Sequence, residues 1–508
     1  MASQLQSINL VAPAFKGLNL EDSPLAQEPS YAEVADNAII DQSGRIAARK
    51  GYVVTTTDKT ALGSGKIRAI EKYRDDARNS KFFSVGNNKI FSGTTTLVDE
   101  TPAGYTISDD DWKLVNFNES LYFFQKGHEP LVYNDTLGAV TPMSSVPSAS
   151  NVTAAMYGNE VLAAFGRLWT ADVSGDKNTI YWSDLLNGVA WTGGSSGSID
   201  ISDVWPQGYD RIVALGAHNN FLIILGEHSI VVYQGATDPA TMVLQDTVSG
   251  VGCVNRDTVQ YTGTDMLFVS QTGLKSFART IQEKSMPLTD RSRNVKRQIT
   301  SLLNTEIESY RSVYSPEEQF YLINFVGQKT IYCFDLRGEL ENRAFRVTRW
   351  PSTNFSCFFR DEDDGKLYIG TSDGICTYEG YLDNQSTYRF RYESPGLSFG
   401  DSSRVKMLKK IKPTVVGANS ESVTLTWAYD FEAFSKKASF QVGSQSVSFF
   451  NEAEYTVGQY SSGTITTRKA INANGSGEVI IIGFEVDVND NPVSLQEINV
   501  LALIGRLL

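Results

Sequence analysis

Carboxylates crowd three short stretches of this chain: Asp109, Asp110 and Asp111 before Trp112; Asp361, Glu362, Asp363 and Asp364 before Leu367; and Asp487, Asn489, Asp490 and Asn491 in the run DVNDNP. Hard oxygen ligands at such spacing suit calcium. Asp and Asn are also what tight turns between strands select, and turns are the preferred reading of all three. A phosphate-cradling loop is suggested by the GSGK at Gly63 to Lys66. Thr60, however, stands where its first glycine belongs and Ile67 where a Ser or Thr would hold magnesium. No H-E-x-x-H zinc motif occurs.

Cys253, Cys333, Cys357 and Cys376 lie within apolar strand phrases without a close pair, which fits reduced, buried thiols rather than a zinc centre. His128, His218 and His228 are the only histidines. His218 and His228 flank the strand Phe221 to Leu225 at opposite ends, too far apart along a pleat to share an ion. The sequence therefore gives no catalytic residue, no metal site and no cofactor, and the chain reads as a non-enzyme.

The elements that would position any site follow one recurring phrase: an apolar strand, a short polar turn, a second apolar strand and a Gly or charged break. Seven copies, aligned on the second strand, start near Phe82, Leu121, Val161, Phe221, Leu267, Phe320 and Leu367. Their spacings are mostly near the roughly 40 to 50 residues of a four-stranded blade. The fold class expected is all-β, a β-propeller of six or seven blades over residues 65–387. Residues 1–64 read as an extended N-terminal arm broken by Pro13, Pro24 and Pro29, with helix only near Tyr31 to Ala38. After Asp290, Val295, Ile299, Leu302 and Leu303 recur at helical spacing, and Arg291, Arg293, Lys296 and Arg297 read as its solvated face.

From Tyr388 the phrase stops and strands lengthen. Alternation in Val423 to Tyr429 and Phe484 to Val488 predicts half-buried antiparallel strands, so residues 388–508 form a β-sandwich-like platform. The arm is too poor in apolar residues to fold alone and is expected to pack on the platform or a neighbouring subunit through Leu18, Leu20, Leu25 and Tyr31.

Forty-five basic against fifty-eight acidic residues give a net charge of −13, which argues against binding through phosphate neutralisation. No run approaches the roughly 20 apolar residues of a membrane helix, and residues 1–15 lack the pattern of a secretory signal. Cytoplasmic synthesis is expected.

Three regions together resemble the tail nozzle or hub proteins of short-tailed bacteriophages, which close the tail below the portal and adaptor. They are the arm from Gly17 to Tyr52; Ile180 to Ser202 with His228 to Tyr233, Val248 to Val259 and Met266 to Phe277; and FGDSSRVKMLKKIKPTV with LQEINVLALIGRLL near the end. The resemblance implies a structural virion protein, a homo-hexamer that retains packaged DNA and forms the ejection channel. Its partners would be the tail adaptor and tail fibre or tailspike proteins, with viral DNA passing unbound. It implies a place in the virion tail after synthesis in the host bacterial cytoplasm. The alternative is a propeller glycosidase or carbohydrate-binding protein. That reading needs axial carboxylates, or sugar-stacking rings among Trp169, Trp182, Trp191 and Trp205, for which core packing is the preferred role.

Overall fold

Two-residue turns with positive φ at both positions join antiparallel strands whose twist they match, and Asn-rich pairs supply them here. Asn87 and Asn88 turn Ser80–Gly86 into Lys89–Ser92, and Asn219 and Asn220 turn Ile212–His218 into Phe221–Gly226. The computed structural model describes residues 4–278, 290–306, 308–417, 421–442 and 466–505. Hairpins of this kind build a β-propeller.

Blade 1 spans Ile67–Arg74 to Val98–Asp99, blade 2 Lys113–Phe117 to Thr141–Pro142, blade 3 Gly158–Ala164 to Gly197–Asp200, and blade 4 Ile212–His218 to Val243–Ser249. A sheet with three strands among the described residues follows, from Gln260–Tyr261 to Gly273–Ser276. Blade 5 runs from Tyr310–Ser315 to Phe345–Pro351. Blade 6 holds Cys357–Arg360, Leu367–Thr371 and Gly374–Thr377, and its fourth strand is Val53–Val54 from the arm. Six four-stranded blades and one three-stranded sheet thus account for the seven phrases. Val161, however, lies on the innermost strand of blade 3 and not the second, because Arg167–Val173 carries an equally apolar pattern one hairpin on.

Apolar faces of successive blades pack on each other. Phe83 and Val85 meet Leu121 and Phe123 between blades 1 and 2, and Trp169 and Trp182 meet Leu222 and Ile224 between blades 3 and 4. Each such side chain contributes about 1.5–3 kcal/mol on burial. The innermost strands touch in ring order, and Cys357–Arg360 returns to Ile67–Arg74.

The platform is a sandwich of two sheets. In one, Val493–Ile504 is central and pairs with Lys406–Gly417, Gln4–Leu10 and Ile46–Ala48. The other continues from blade 5 through Val34–Asp36 into Tyr388–Glu393, Ile480–Val488, Ser422–Tyr429 and Lys436–Gln441, one unbroken sheet of nine strands. Every second residue of Val493–Leu495 and Ile498–Ile504 is buried, as the alternation requires. One core joins both sheets to the arm, including Phe15, Leu18, Ile46, Phe390, Phe484 and Val500.

The expected helix near Tyr31 to Ala38 is replaced by the strands Tyr31–Ala32, Val34–Asp36 and Ala38–Ile40. Sheet edges on both sides offer hydrogen bonds that a lone helical turn could not match. The second helix forms at Lys296–Thr305 with Ile299 buried. Arg291 precedes that helix and is buried, donating to the Arg343 carbonyl at 2.8 Å under the Phe345 ring. Among the described residues no helix is long and apolar enough to cross a membrane.

Candidate functional site

Innermost strands line the propeller axis, and several carry an ionisable residue within their first three positions: Arg68 in blade 1, Lys113 in blade 2, Glu160 in blade 3 and Arg311 in blade 5. The turn Arg256–Thr258, which opens the three-stranded sheet, adds Arg256 and Asp257. Three hollows lie along the axis, the first two sharing Arg68 and Arg311 and the last two sharing Ile70 and Leu114. A cavity of about 420 Å³ at one mouth is lined by Asp109, Asp110, Asp111, Glu306 and Tyr310. A waist of about 180 Å³ is lined by Arg68, Lys113, Arg256, Asp257 and Arg311. A cleft of about 510 Å³ at the other mouth holds Glu71, Arg74, Tyr314, Arg360 and Glu362.

Around the waist the charges pair closely. Lys113 Nζ sits 2.7 Å from both oxygens of the wholly buried Glu160, which also accepts the Leu215 N–H at 3.1 Å. Burial still lifts the Glu160 carboxyl above its ordinary range, with Lys113 offsetting only part. Arg256 Nη2 donates to the Asp111 carbonyl at 2.9 Å and to Oδ1 at 3.2 Å. Arg311 donates to Asp257 Oδ2 at 2.7 Å and Asp111 Oδ1 at 3.2 Å. Burial opposes ionisation of Asp111, but the two guanidinium groups outweigh it and hold its carboxyl below the usual range. Arg68 reaches Glu308 at 3.3 Å. Arg256 Nη1 is buried and finds no acceptor among the described residues.

At the far mouth Glu71 has a different balance. Burial dominates and pushes its carboxyl up to about 7, against the N–H of Lys72. Asn116 donates to it at 3.2 Å.

The sequence clusters are dispersed by the fold. Asp109 to Asp111 line the axial mouth, whereas Asp361 braces a turn and accepts from Lys72 Nζ and Arg74 Nη2, both at 2.7 Å. Asp487 pairs with Arg389 at 2.9 Å on the platform. Gly63 to Lys66 lie in a turn ahead of a strand, with no helix to receive phosphate, and Lys66 lies 3.5 Å from Glu308. The string G-x-S-x-G occurs at Gly193 to Gly197 and Gly370 to Gly374, in a loop between strands and a strand-turn-strand. Ser195 is held by Asp184 and Arg167, each at 2.8 Å. Asp210, Glu227 and His228 converge, but Asp210 accepts the backbone N–H groups of Arg211, Glu227 and His228, and Arg211 forks onto Glu227. This set braces a turn.

All four cysteines are buried and free, and burial pushes the Cys253 and Cys357 thiols up to about 12. Trp169, Trp182, Trp191 and Trp205 are all buried, which removes them as sugar-stacking platforms. Of the arm residues, Leu18 is in the chain's own core and Leu20 packs against it; Tyr31 is half-buried beneath Lys16, and Leu25 is 44% exposed.

The axial arginines went unseen in the sequence because they come from segments up to 243 residues apart in number, Arg68 to Arg311. The available signal was a charged residue inside an otherwise strand-like phrase, as in IRAIEKYR, KLVNF, GNEVLAA and YRSVYS.

No family model and no curated protein matches this chain. Similar solved structures include the extracellular domain of BT4673 from B. thetaiotaomicron, 11% identical with a TM-score of 0.41 over 67% of this chain. The match spans 41% of that protein's chain. A streptogramin B lyase is 13% identical with a TM-score of 0.36, over 63% of this chain and 95% of its own. The Neurospora crassa Pan2 WD40 domain is 10% identical with a TM-score of 0.38, over 66% and 97%.

Proposed function

We propose that this chain is a structural tail protein of a short-tailed bacteriophage, a nozzle or hub subunit that assembles as a hexamer below the portal and adaptor. The observation that carries the reading is the course of the arm. The segment Gly17 to Tyr52, on which the resemblance begins, supplies Val34–Asp36 as the strand joining blade 5 to the platform and leads straight into Val53–Val54, which closes blade 6. Propeller and platform are thereby one hydrogen-bonded body, suited to bearing load. Around the axial waist each carboxylate is engaged by a cation, a pattern of bracing that supports a non-catalytic role. A chain of net charge −13 offers packaged DNA little to adhere to. Leu25, at 44% exposed, is the arm residue that this reading assigns to contact with an adaptor or fibre protein.

The test is electron microscopy of virus particles labelled with an antibody against this chain, together with the mass of the purified protein in solution. Label at the distal axis of a short tail and a particle of six 56.0 kDa subunits are expected. Absence of the chain from particles overturns the assignment.

A further inference from the structure

Four cations converge on the waist of the propeller axis in an otherwise acidic chain. Arg68, Lys113, Arg256 and Arg311 all line this cavity of about 180 Å³, whose wall carries a single carboxylate, Asp257. Asp257 pairs with Arg311 at 2.7 Å, and the other carboxylates that pair with these cations stand off the wall: Glu160 is wholly buried against Lys113, while Asp111 and Glu308 line the outer cavity. The side chain of Arg256 is 2% exposed and its Nη1 has no acceptor among the described residues. We propose that this waist binds a small oxyanion.

The geometry suits that ligand class. Guanidinium forks match the paired oxygens of phosphate, sulfate or carboxylate, and Arg256 and Arg311 are already oriented by shared carboxylates. The cations arise from blade 1, blade 2, blade 5 and the three-stranded sheet, so none needs to move with a ligand. The cavity is below the roughly 300–1,000 Å³ of pockets for larger organic ligands. At about 30 Å³ per water, it holds one compact anion and a few waters. This inference stands independently of the tail assignment.

Calorimetric titration of the full-length chain with inorganic phosphate, sodium sulfate and sodium acetate, at ionic strength held constant with chloride, tests it. Saturable binding of one anion per chain is expected, tighter than about 1 mM, and at least tenfold weaker in Arg256→Lys and Arg68→Gln. The second variant sits at the cavity rim and decides the matter if the first fails to fold. Phosphate and sulfate binding ahead of acetate assigns the site to tetrahedral anions, and the reverse order to carboxylates. Heats that do not saturate for any of the three, or affinities unchanged in the folded variants, overturn the proposal.

Discussion

The guanidinium of Arg49 lies fork to fork against the carboxylate of Asp383, Nη1 to Oδ1 at 2.8 Å and Nη2 to Oδ2 at 2.6 Å. Its face covers the Tyr388 ring at 4.3 Å, its Nε donates to Asn37 at 3.0 Å, and the side chain is 2% exposed. Arm, propeller exit and platform entry are pinned at this one point.

Removing either partner strands a buried charge. Arg49→Met or Asp383→Asn is expected to lower stability by about 3–5 kcal/mol, and the double variant by less than the sum. Urea unfolding of the three variants measures this. Additive losses would show that the two residues act separately.

Gly17 takes φ +87°, and a Cβ there would meet the Val347 backbone at 2.6 Å from N and 2.8 Å from O. Left-handed backbone and overpacking act together, so Gly17→Ala is expected to cost about 2–4 kcal/mol and to loosen the arm from blade 5. Limited proteolysis should cut the variant within the first 30 residues at protease levels that leave the parent whole.

Glu71 titrates near 7 in the folded chain against an ordinary 4.5, because burial favours the neutral acid. A folded value above the unfolded one means that the folded state holds the extra proton between them. Stability therefore falls as pH rises from about 4.5 through about 7, by about 1–2 kcal/mol for a side chain still in contact with solvent. Glu71→Gln is expected to flatten that slope and to be the more stable protein at pH 8. Denaturation at half-unit pH steps compares the two profiles, and parallel curves would remove Glu71 as the cause.

Asp361 works in the opposite sense. Burial opposes its charge, but Lys72, Arg74 and the Asp363 N–H hold the carboxyl below 3.8. Its contribution is complete above that value and disappears as pH falls through the folded one. Asp361→Asn should cost about 3–5 kcal/mol at pH 7 and progressively less in acid, opening the seam between blades 6 and 1. Amide exchange in Ile67–Arg74 locates the loss.

Local pattern carried the blades well. Turn residues and paired apolar strands mark Phe82, Leu121, Phe221, Leu267, Phe320 and Leu367 without tertiary knowledge, since a hairpin is a short-range object. Val161 misled because both hairpin strands there are apolar and periodicity does not rank them. The arm was harder to read. Ala35, Ala38 and Ala48 look like helix formers but are buried among sheet partners from blade 5 and the platform, and those partners decide their conformation. Helical spacing puts Arg291 on a wet face because it gives the angle around a helix and not what lies opposite. The axial cluster is a meeting of Arg68, Lys113, Glu160, Arg256 and Arg311 that ring closure alone creates.

Gln4 pairs with Ile504 and Leu10 with Ile498, while Val53 and Val54 pair with Thr377 and Cys376. During synthesis the strand at residues 4–10 must therefore wait for a partner translated almost five hundred residues later, roughly 25–100 s at elongation rates of about 5–20 residues per second. Val53–Val54 likewise has no partner until Thr377 emerges, and an unpaired strand edge is an invitation to foreign chains. Yield in the cell should accordingly follow how well the nascent arm is shielded, by a chaperone or by slow expression, more than it follows the stability of the finished ring.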